Sequence, residues 1–195
     1  IWLDLFDVSK NLIANGSEIQ IEAAINVYTE TFRSMANDIV EQDKDLYAMF
    51  ENTLNHENIH INLCSLQAVS QLLCVVQPKY VKKFLGLLEA MVKVPMKAFD
   101  LQDESILEDA LIEFNSMADS EPKFFKDHFK DLFQVFNSII KSSSVFSSSI
   151  RHQPLEFLCT VVERQPSLLL GKQNKKHLEE LVESVFQLMI EIDEE

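Results

Sequence analysis

The sequence predicts an all-α protein in which antiparallel helix pairs stack side by side into a superhelix. Three observations favour this fold class. The 195 residues include only three glycines and five prolines, 47% of the chain is hydrophobic, and several of the prolines recur at a fixed spacing between apolar stretches. Sheet proteins need turn residues every few positions, so this scarcity of glycine and proline indicates long helices joined by short polar turns.

The fixed spacing is 44 residues, and it separates Pro78, Pro122 and Pro166. Proline lacks an amide hydrogen but is tolerated in the first turn of a helix, so each proline closes one helix and opens the next. A period in the forties with two helices per unit is the length of HEAT or armadillo repeats. We predict about four and a half pairs in a single solenoid, with approximate repeats 1–42, 43–77, 78–121, 122–165 and an incomplete 166–195.

Each pair consists of a first and a second helix. The first helices are predicted near 1–14, 43–55, 78–99, 122–142 and 173–192, and the second helices near 17–36, 57–77, 103–120 and 148–165. Ser17, Asp103 and a serine within 147–149 are the expected N-caps. The predicted second helices each carry one apolar face, as in Ile21, Ala24, Ile25, Tyr28, Phe32 and Met35.

The two ends of the chain predict that it is a piece of a longer solenoid. A helix pair cannot bury its own apolar stripe, so the terminal repeats of solenoids normally carry a polar cap. Neither end has such a cap here, and the chain opens at Ile1, inside a predicted helix and without an initiator methionine.

The composition indicates which kinds of binding partner and which cellular compartment to expect. The formal charge of −14 repels phosphate backbones and anionic lipid, so we expect neither nucleic acid nor membrane as a partner and favour basic proteins. No apolar run approaches the length of a membrane span. The cysteines Cys64, Cys74 and Cys159 are odd in number and have no CxxC spacing, which is typical of reduced thiols in a cytosolic or nuclear protein.

Charge is divided unevenly between the two sets of helices. The four predicted second helices, with Glu121 included, hold 13 acidic and 3 basic residues, whereas the third and fourth first helices are lysine-rich. In HEAT solenoids the second helices line the concave face, so the sequence predicts an acidic inner surface that attracts Lys/Arg-rich segments. The alternative is that these acids are an ordinary solvated face. The candidate cargo-binding residues are Glu22, Asn26, Glu104, Glu108, Asn115 and Glu156.

One stretch matches a catalytic signature. His56-Glu57-Asn58-Ile59-His60 fits H-E-x-x-H, in which two histidines one helical turn apart bind zinc and the glutamate acts as general base. We interpret the match as fortuitous, because His56 falls at the start of a helix and the glycine and third histidine of the metzincins are absent from 61–70. No glycine-rich phosphate loop is present, so no cofactor is predicted. A zinc hydrolase stays a remote alternative to a non-enzymatic protein.

The later repeats carry a family likeness. The stretches 110–125, 151–170 and 177–195, which include Ala118-Asp119-Ser120-Glu121-Pro122-Lys123-Phe124-Phe125, resemble mid-chain repeats of the karyopherin-β nuclear transport receptors, importin-5 (importin β3) type. The likeness runs from about residue 68 to the end of the chain. In that type the last helix leads into a strongly acidic segment, which would begin here at Asp193-Glu194-Glu195.

The resemblance implies a receptor, found in the cytoplasm and the nucleus, that carries cargo with basic localisation signals through nuclear pores. It implies cargo held on the inner helices, release when the GTPase Ran binds in its GTP form, and Phe-Gly nucleoporins bound between outer helices. In the family the main Ran contacts lie on N-terminal repeats. The alternative is a HEAT scaffold outside nuclear transport, such as a subunit of a phosphatase or kinase complex.

Overall fold

The computed structural model describes residues 3–143, 145–170 and 175–192, and these contain helices and turns but no strand. The chain forms two compact units, Ile1–Lys97 and Ala98–Glu195. The all-α prediction is confirmed. The acidic residues 193–195, where the family likeness ends, lie outside the described residues.

Unit 1 begins with two antiparallel helix pairs. The first pair is α1 (Leu3–Asn15) with α2 (Glu18–Gln42), and the second is α3 (Leu46–Leu54) with α4 (Ile59–Val75). A further first helix follows as α5 (Pro78–Val81), a 3-10 segment (Lys82–Leu87) and α6 (Leu88–Leu101), and the border between the units falls within α6.

Unit 2 repeats this order. The second helix α7 (Glu104–Ser120) is followed by a 3-10 segment (Pro122–His128), α8 (Phe129–Ile140), α9 (Ser148–Arg164), the short α10 (Ser167–Leu170) and α11 (Lys175–Ile192). All nine predicted helices are present within a few residues. The division into five repeats within one domain stays a prediction.

The N-caps explain where several helices begin. Ser17 precedes α2, and its backbone N–H donates to Gln20 Oε1 at 2.8 Å. Asp103 precedes α7, and its carboxylate accepts from the backbone N–H of Ile106 at 3.1 Å. These side chains satisfy amides that have no partner inside the helix. Together with Ser147 before α9, they confirm the predicted caps.

Two departures from the predicted helices have local causes. The helix α2 continues past the predicted end at residue 36 to Gln42, with a kink at Met35, because Ala36, Ile39 and Val40 extend its buried face. The third first helix changes after Val81 to a 3-10 segment, in which Gly86 passes Tyr47 of α3. A Cβ at Gly86 would lie 2.5 Å from the Tyr47 Oη, so only glycine permits this approach without a shift.

The core of unit 1 forms around the aromatic residues of α2 and α3. Tyr28, Phe32 and Phe50 are fully buried and their ring centroids lie 5.9 to 6.3 Å apart. The Tyr28 hydroxyl donates to Asp43, whose carboxylate also lies 2.7 Å from Lys10 Nζ. Burial, and next the negative charge of Asp43, raise the pKa of Tyr28 well above its usual value, so this phenol stays protonated.

The core of unit 2 is a cluster of phenylalanines from four elements. Phe157 of α9 contacts Phe114, Phe125 and Phe136 with ring centroids 5.9, 4.9 and 4.7 Å away and the rings near perpendicular. All four are fully buried. Edge-to-face contacts of this kind add to the free energy gained from burial alone. They join α7, α8 and α9 into one packed body.

This packing predicts that Phe157→Ala lowers the free energy of unfolding by about 3–5 kcal/mol, because it removes a buried ring and leaves a cavity. Phe186→Ala is the matched control, since Phe186 of α11 is 60% exposed, and we expect it to cost less than about 1 kcal/mol. Urea denaturation followed by circular dichroism measures both. Equal losses in the two variants would contradict the described core.

Candidate functional site: the acidic face of the second helices

The candidate cargo-binding residues lie on second helices that pack in pairs within each unit. In unit 1, α2 packs against α4, and in unit 2, α7 packs against α9. Each second helix also contacts a first helix, so its apolar stripe is covered from two sides. The remaining face meets solvent, and that face carries the acidic residues.

In unit 2 the acidic face begins at the start of α7. Glu104 is exposed and Glu108, one turn later, is half-buried, while Glu156 is exposed on α9. In the part of the chain that the structure describes, no lysine, arginine or histidine nitrogen lies within 4 Å of these three carboxylates. Their negative charges are therefore not neutralised by the chain itself and are available to a cationic ligand.

Asn115 was predicted to contact cargo, but its side chain is hydrogen-bonded within the chain. Its Nδ2 donates to the Gln153 side chain at 2.8 Å and to the Gln153 carbonyl oxygen at 3.2 Å, and its Oδ1 is buried without a partner among the described residues. Asn115 thus links α7 to α9. Its contact with cargo stays a prediction, and Oδ1 would have to become accessible for it.

Two residues on this face were missed by sequence reasoning. Ile112 of α7 is 43% exposed, and Cys159 of α9 is exposed. Ile112 follows Glu108 by four residues and Cys159 follows Glu156 by three, so helical spacing places each beside an acid. Only the packing of α7 on α9 shows which apolar residues of these helices remain outside the core.

In unit 1 the corresponding residues are Glu22 and Asn26 of α2. Glu22 is half-buried and faces Cys64 of α4, whereas Asn26 is exposed. Burial, and next the charge of Glu22, raise the pKa of the Cys64 thiol, although a backbone hydrogen bond lowers it. Burial and the charge of Glu163 likewise raise the pKa of Cys159. Both thiols therefore lie in a negative environment, which disfavours the thiolate.

The H-E-x-x-H stretch does not form the helical arrangement of a zinc protease. His56 lies in the turn before α4, Asn58 is the N-cap, and of the two histidines only His60 belongs to the helix. The His56 Nδ1 accepts from the backbone N–H of Asn58 at 3.0 Å, and the Asn58 side chain accepts from the backbone N–H of His60 at 2.8 Å. The described residues contain no group of three His, Cys, Asp or Glu side chains that could hold a metal ion.

A groove opens in unit 1 on the side of the first helices. It has a volume of about 550 Å³ and lies between α1, the start of α2, and α3. Its apolar lining is contributed by Ile13, Ala14, Ile21, Ala48 and Met49. Lys10, Asp45 and His56 are among the polar residues at its edges. The groove is suited to one or two apolar side chains of a partner.

The family is decided by a match to a model described as "IPO5-like, TPR repeats", which covers residues 1–135. The chain belongs to the importin-5-like family. TPR units are about 34 residues long, whereas the prolines of this importin-5-like chain recur every 44 residues. No curated protein matches the chain by sequence.

Solved structures of the karyopherin Kap121p are similar to this importin-5-like chain. Kap121p bound to the SUMO protease Ulp1p matches with a TM-score of 0.82 at 18% identity. Kap121p bound to RanGTP matches at 0.78 and Kap121p bound to Nup53p at 0.81, both at 17% identity. Each match covers 94% of this chain and 17% of the karyopherin. At these identities the likeness shows the fold, and it confirms the predicted HEAT-repeat class.

Within 3–143, 145–170 and 175–192, no helix combines the length and the apolar character needed to cross a membrane.

The position of Glu22 beside Cys64 predicts that Glu22→Gln lowers the pKa of the Cys64 thiol, because one negative charge that disfavours the thiolate is removed. Alkylation of Cys64 by iodoacetamide near pH 8, followed by mass spectrometry, should become faster. Glu163→Gln is the matched control: it should accelerate alkylation of Cys159 and leave Cys64 unchanged. An unchanged rate at Cys64 in the Glu22 variant would place this carboxylate away from α4.

Proposed function

We propose that this chain is the part of an importin-5-like nuclear transport receptor that holds Lys/Arg-rich cargo segments on the solvent face of its second helices. The observation that carries the proposal is the set of carboxylates without a cationic partner on adjacent second helices, above all Glu104, Glu108 and Glu156 of unit 2. Glu22 and Asn26 extend the same kind of face in unit 1. Family membership supports this function over a scaffold outside nuclear transport.

The proposal includes the setting in which such a receptor works. It binds cargo in the cytoplasm, carries no cofactor, catalyses no reaction and releases cargo in the nucleus when RanGTP binds the complete receptor. The solved complexes of Kap121p with Ulp1p and with RanGTP support this scheme by analogy. The chain spans about 17% of the length of that karyopherin, so cargo affinity of the complete receptor would exceed that of the chain through additional contacts.

Electrostatics sets the expected strength of the interaction. A single exposed ion pair contributes about 0.2–1 kcal/mol, so several carboxylates must act together to hold a basic segment. Binding of this kind weakens as salt screens the charges, whose screening length is about 8 Å at physiological ionic strength.

A fluorescent Lys/Arg-rich localisation peptide should therefore bind the chain at low salt and bind more weakly at moderate salt. Glu104→Lys/Glu108→Lys should reduce its affinity at least about tenfold, because two attractive charges become repulsive. Fluorescence anisotropy measures both effects.

The matched control for this experiment is Asp127→Lys/Asp131→Lys, which changes the net charge equally on the exposed face of the first-helix segment of unit 2. It should retain most of the binding. Equal losses in the two double variants would show that the peptide senses only net charge, and absence of binding at low salt would leave the scaffold alternative as the better account.

We further propose that the groove between α1 and α3 binds the phenylalanine side chains of Phe-Gly nucleoporins. The apolar lining by Ile13, Ala48 and Met49, on the side of the first helices, favours this second role. The solved complex of Kap121p with Nup53p supports it by analogy.

The groove predicts that Ala48→Arg abolishes binding of a labelled Phe-Gly-repeat peptide, because Ala48 is an exposed position in the groove wall and arginine would fill the space. Ala23→Arg on α2 is the control: Ala23 is exposed and does not line the groove. Peptide titration monitored by NMR measures the affinities. A peptide that binds the two variants equally well would exclude this groove.

A further inference from the structure

The first helix of the last complete pair in unit 2 carries a surface of exposed lysines that the proposed function does not use. Lys123 and Lys126 lie in the 3-10 segment, and Lys130 lies in the first turn of α8. We call these three residues the lysine surface. In the described parts of the chain none of them has a carboxylate within 4 Å, although the chain has 31 acidic and only 17 basic residues.

Local electrostatics opposes the placement of these lysines. Side chains three residues apart eclipse each other in 3-10 structure, so Lys123 and Lys126 stand directly in line. Lys126 and Lys130 are four residues apart, a spacing at which like charges repel on a helix. The amino-terminal end of a helix is also positively polarised and favours acidic side chains over basic ones. Asp127 is at helical spacing from Lys123 and Lys130, but it forms no ion pair with them within 4 Å, so the three ammonium groups remain available to a ligand.

Unit 1 shows how the chain accommodates an equivalent lysine. Lys79 follows Pro78 as Lys123 follows Pro122, and its Nζ lies 3.5 Å from Glu41 Oε1 and 4.4 Å from the Tyr80 ring centroid. Lys83 lies 4.9 Å from the same ring. These contacts orient Lys79 and Lys83, and the Glu41 carboxylate neutralises Lys79. Such contacts are missing for the lysine surface in the described residues of unit 2, so a stabilising role within the chain does not explain it.

We propose that the lysine surface binds a short, extended acidic peptide segment of a partner protein. The exposed side chains of 123–131 are Lys, Asp and His, with no exposed apolar residue among them, so recognition depends on charge. The surface is short: seven residues separate Lys123 from Lys130, or about 11–14 Å along the helix axis, the length of about four extended residues.

A peptide fits this surface better than a nucleic acid does. Asp127 and Asp131 are exposed alongside the lysines, and the chain as a whole carries a formal charge of −14. A long polyanion that follows the lysines would continue over acidic surface and be repelled. Glutamates at alternate positions of an extended chain are about 7 Å apart, close to the separation of successive lysines.

The test is binding of a fluorescein-labelled hexaglutamate peptide to the complete 195-residue chain at low salt, with thermal unfolding of every variant. Lys126→Glu/Lys130→Glu should weaken binding at least about tenfold, and the neutral variant Lys126→Gln/Lys130→Gln should leave the melting temperature unchanged, because neither lysine has an ion pair to lose among the described residues. Lys79→Glu/Lys93→Glu is matched in charge change but alters lysines that have ion pairs. It should retain binding and lower the melting temperature.

Four outcomes would overturn the proposal. The hexaglutamate peptide could fail to bind at low salt, or bind the Lys126/Lys130 variant as tightly as the unaltered chain. A single-stranded RNA hexamer could bind more tightly than the peptide in a manner that depends on the same lysines, which would assign the surface to nucleic acid. A fall in the melting temperature of the neutral Lys126→Gln/Lys130→Gln variant would assign these lysines to stability.

Discussion

The second helices of neighbouring pairs cover each other's apolar faces, and the rest of each unit depends on this contact. A helix pair taken alone would leave one apolar stripe in water, because its two helices can bury only the faces that meet. In unit 2 this is visible at Phe157, which reaches Phe114 of the neighbouring second helix at 5.9 Å and Phe136 of its own first helix at 4.7 Å.

This arrangement decides where charge can lie. A second helix that is covered on two sides carries most of its charged residues on the face that meets solvent, because burial of an unpaired charge is costly. Glu104, Glu108 and Glu156 therefore share the same side of their unit without any attraction between them. Arg151 of α9 is buried, and its guanidinium donates to the carbonyl oxygens of Phe146 and Ile140. Asn115 and Gln153 are partly buried polar residues where α7 meets α9, and there the Asn115 amide donates a hydrogen bond to the Gln153 side chain.

The sequence alone was sufficient to predict the repeated helix pairs and the N-caps, which depend only on nearby residues. The 44-residue proline spacing located the helix pairs, and the caps at Ser17 and Asp103 are short-range signals that do not need a partner. The close approach of Gly86 to Tyr47 was not predictable, because Tyr47 lies in another helix. The Asn115–Gln153 pair was missed for the same reason: a hydrogen bond between residues 38 apart has no local pattern.

The H-E-x-x-H stretch illustrates the same limit. Its spacing fits a zinc site only if all five residues are helical, and the cap at Asn58 prevents this. The asparagine side chain accepts from the His60 amide and thereby starts α4 at residue 59. Lys97 strengthens the turn, since its ammonium group donates to Asn62 Oδ1 at 3.0 Å and to the carbonyl oxygens of His56 and Glu57. The residue types of the zinc motif are present, but the Asn58 cap leaves His56 in a turn and not on the helix that carries His60.

The geometry of the second helices sets a rule for the basic segments that the proposed function requires. Glu104 and Glu108 are one turn apart, about 6 Å along the axis, and packed helices lie about 8–10 Å apart. An extended peptide advances about 3.3 Å per residue. Basic side chains two residues apart therefore match acids along one helix, and those three residues apart match acids on neighbouring helices. Because each ion pair contributes little, selectivity among basic segments arises from how many charges meet in this register, so a segment with the same number of lysines in another spacing binds less tightly.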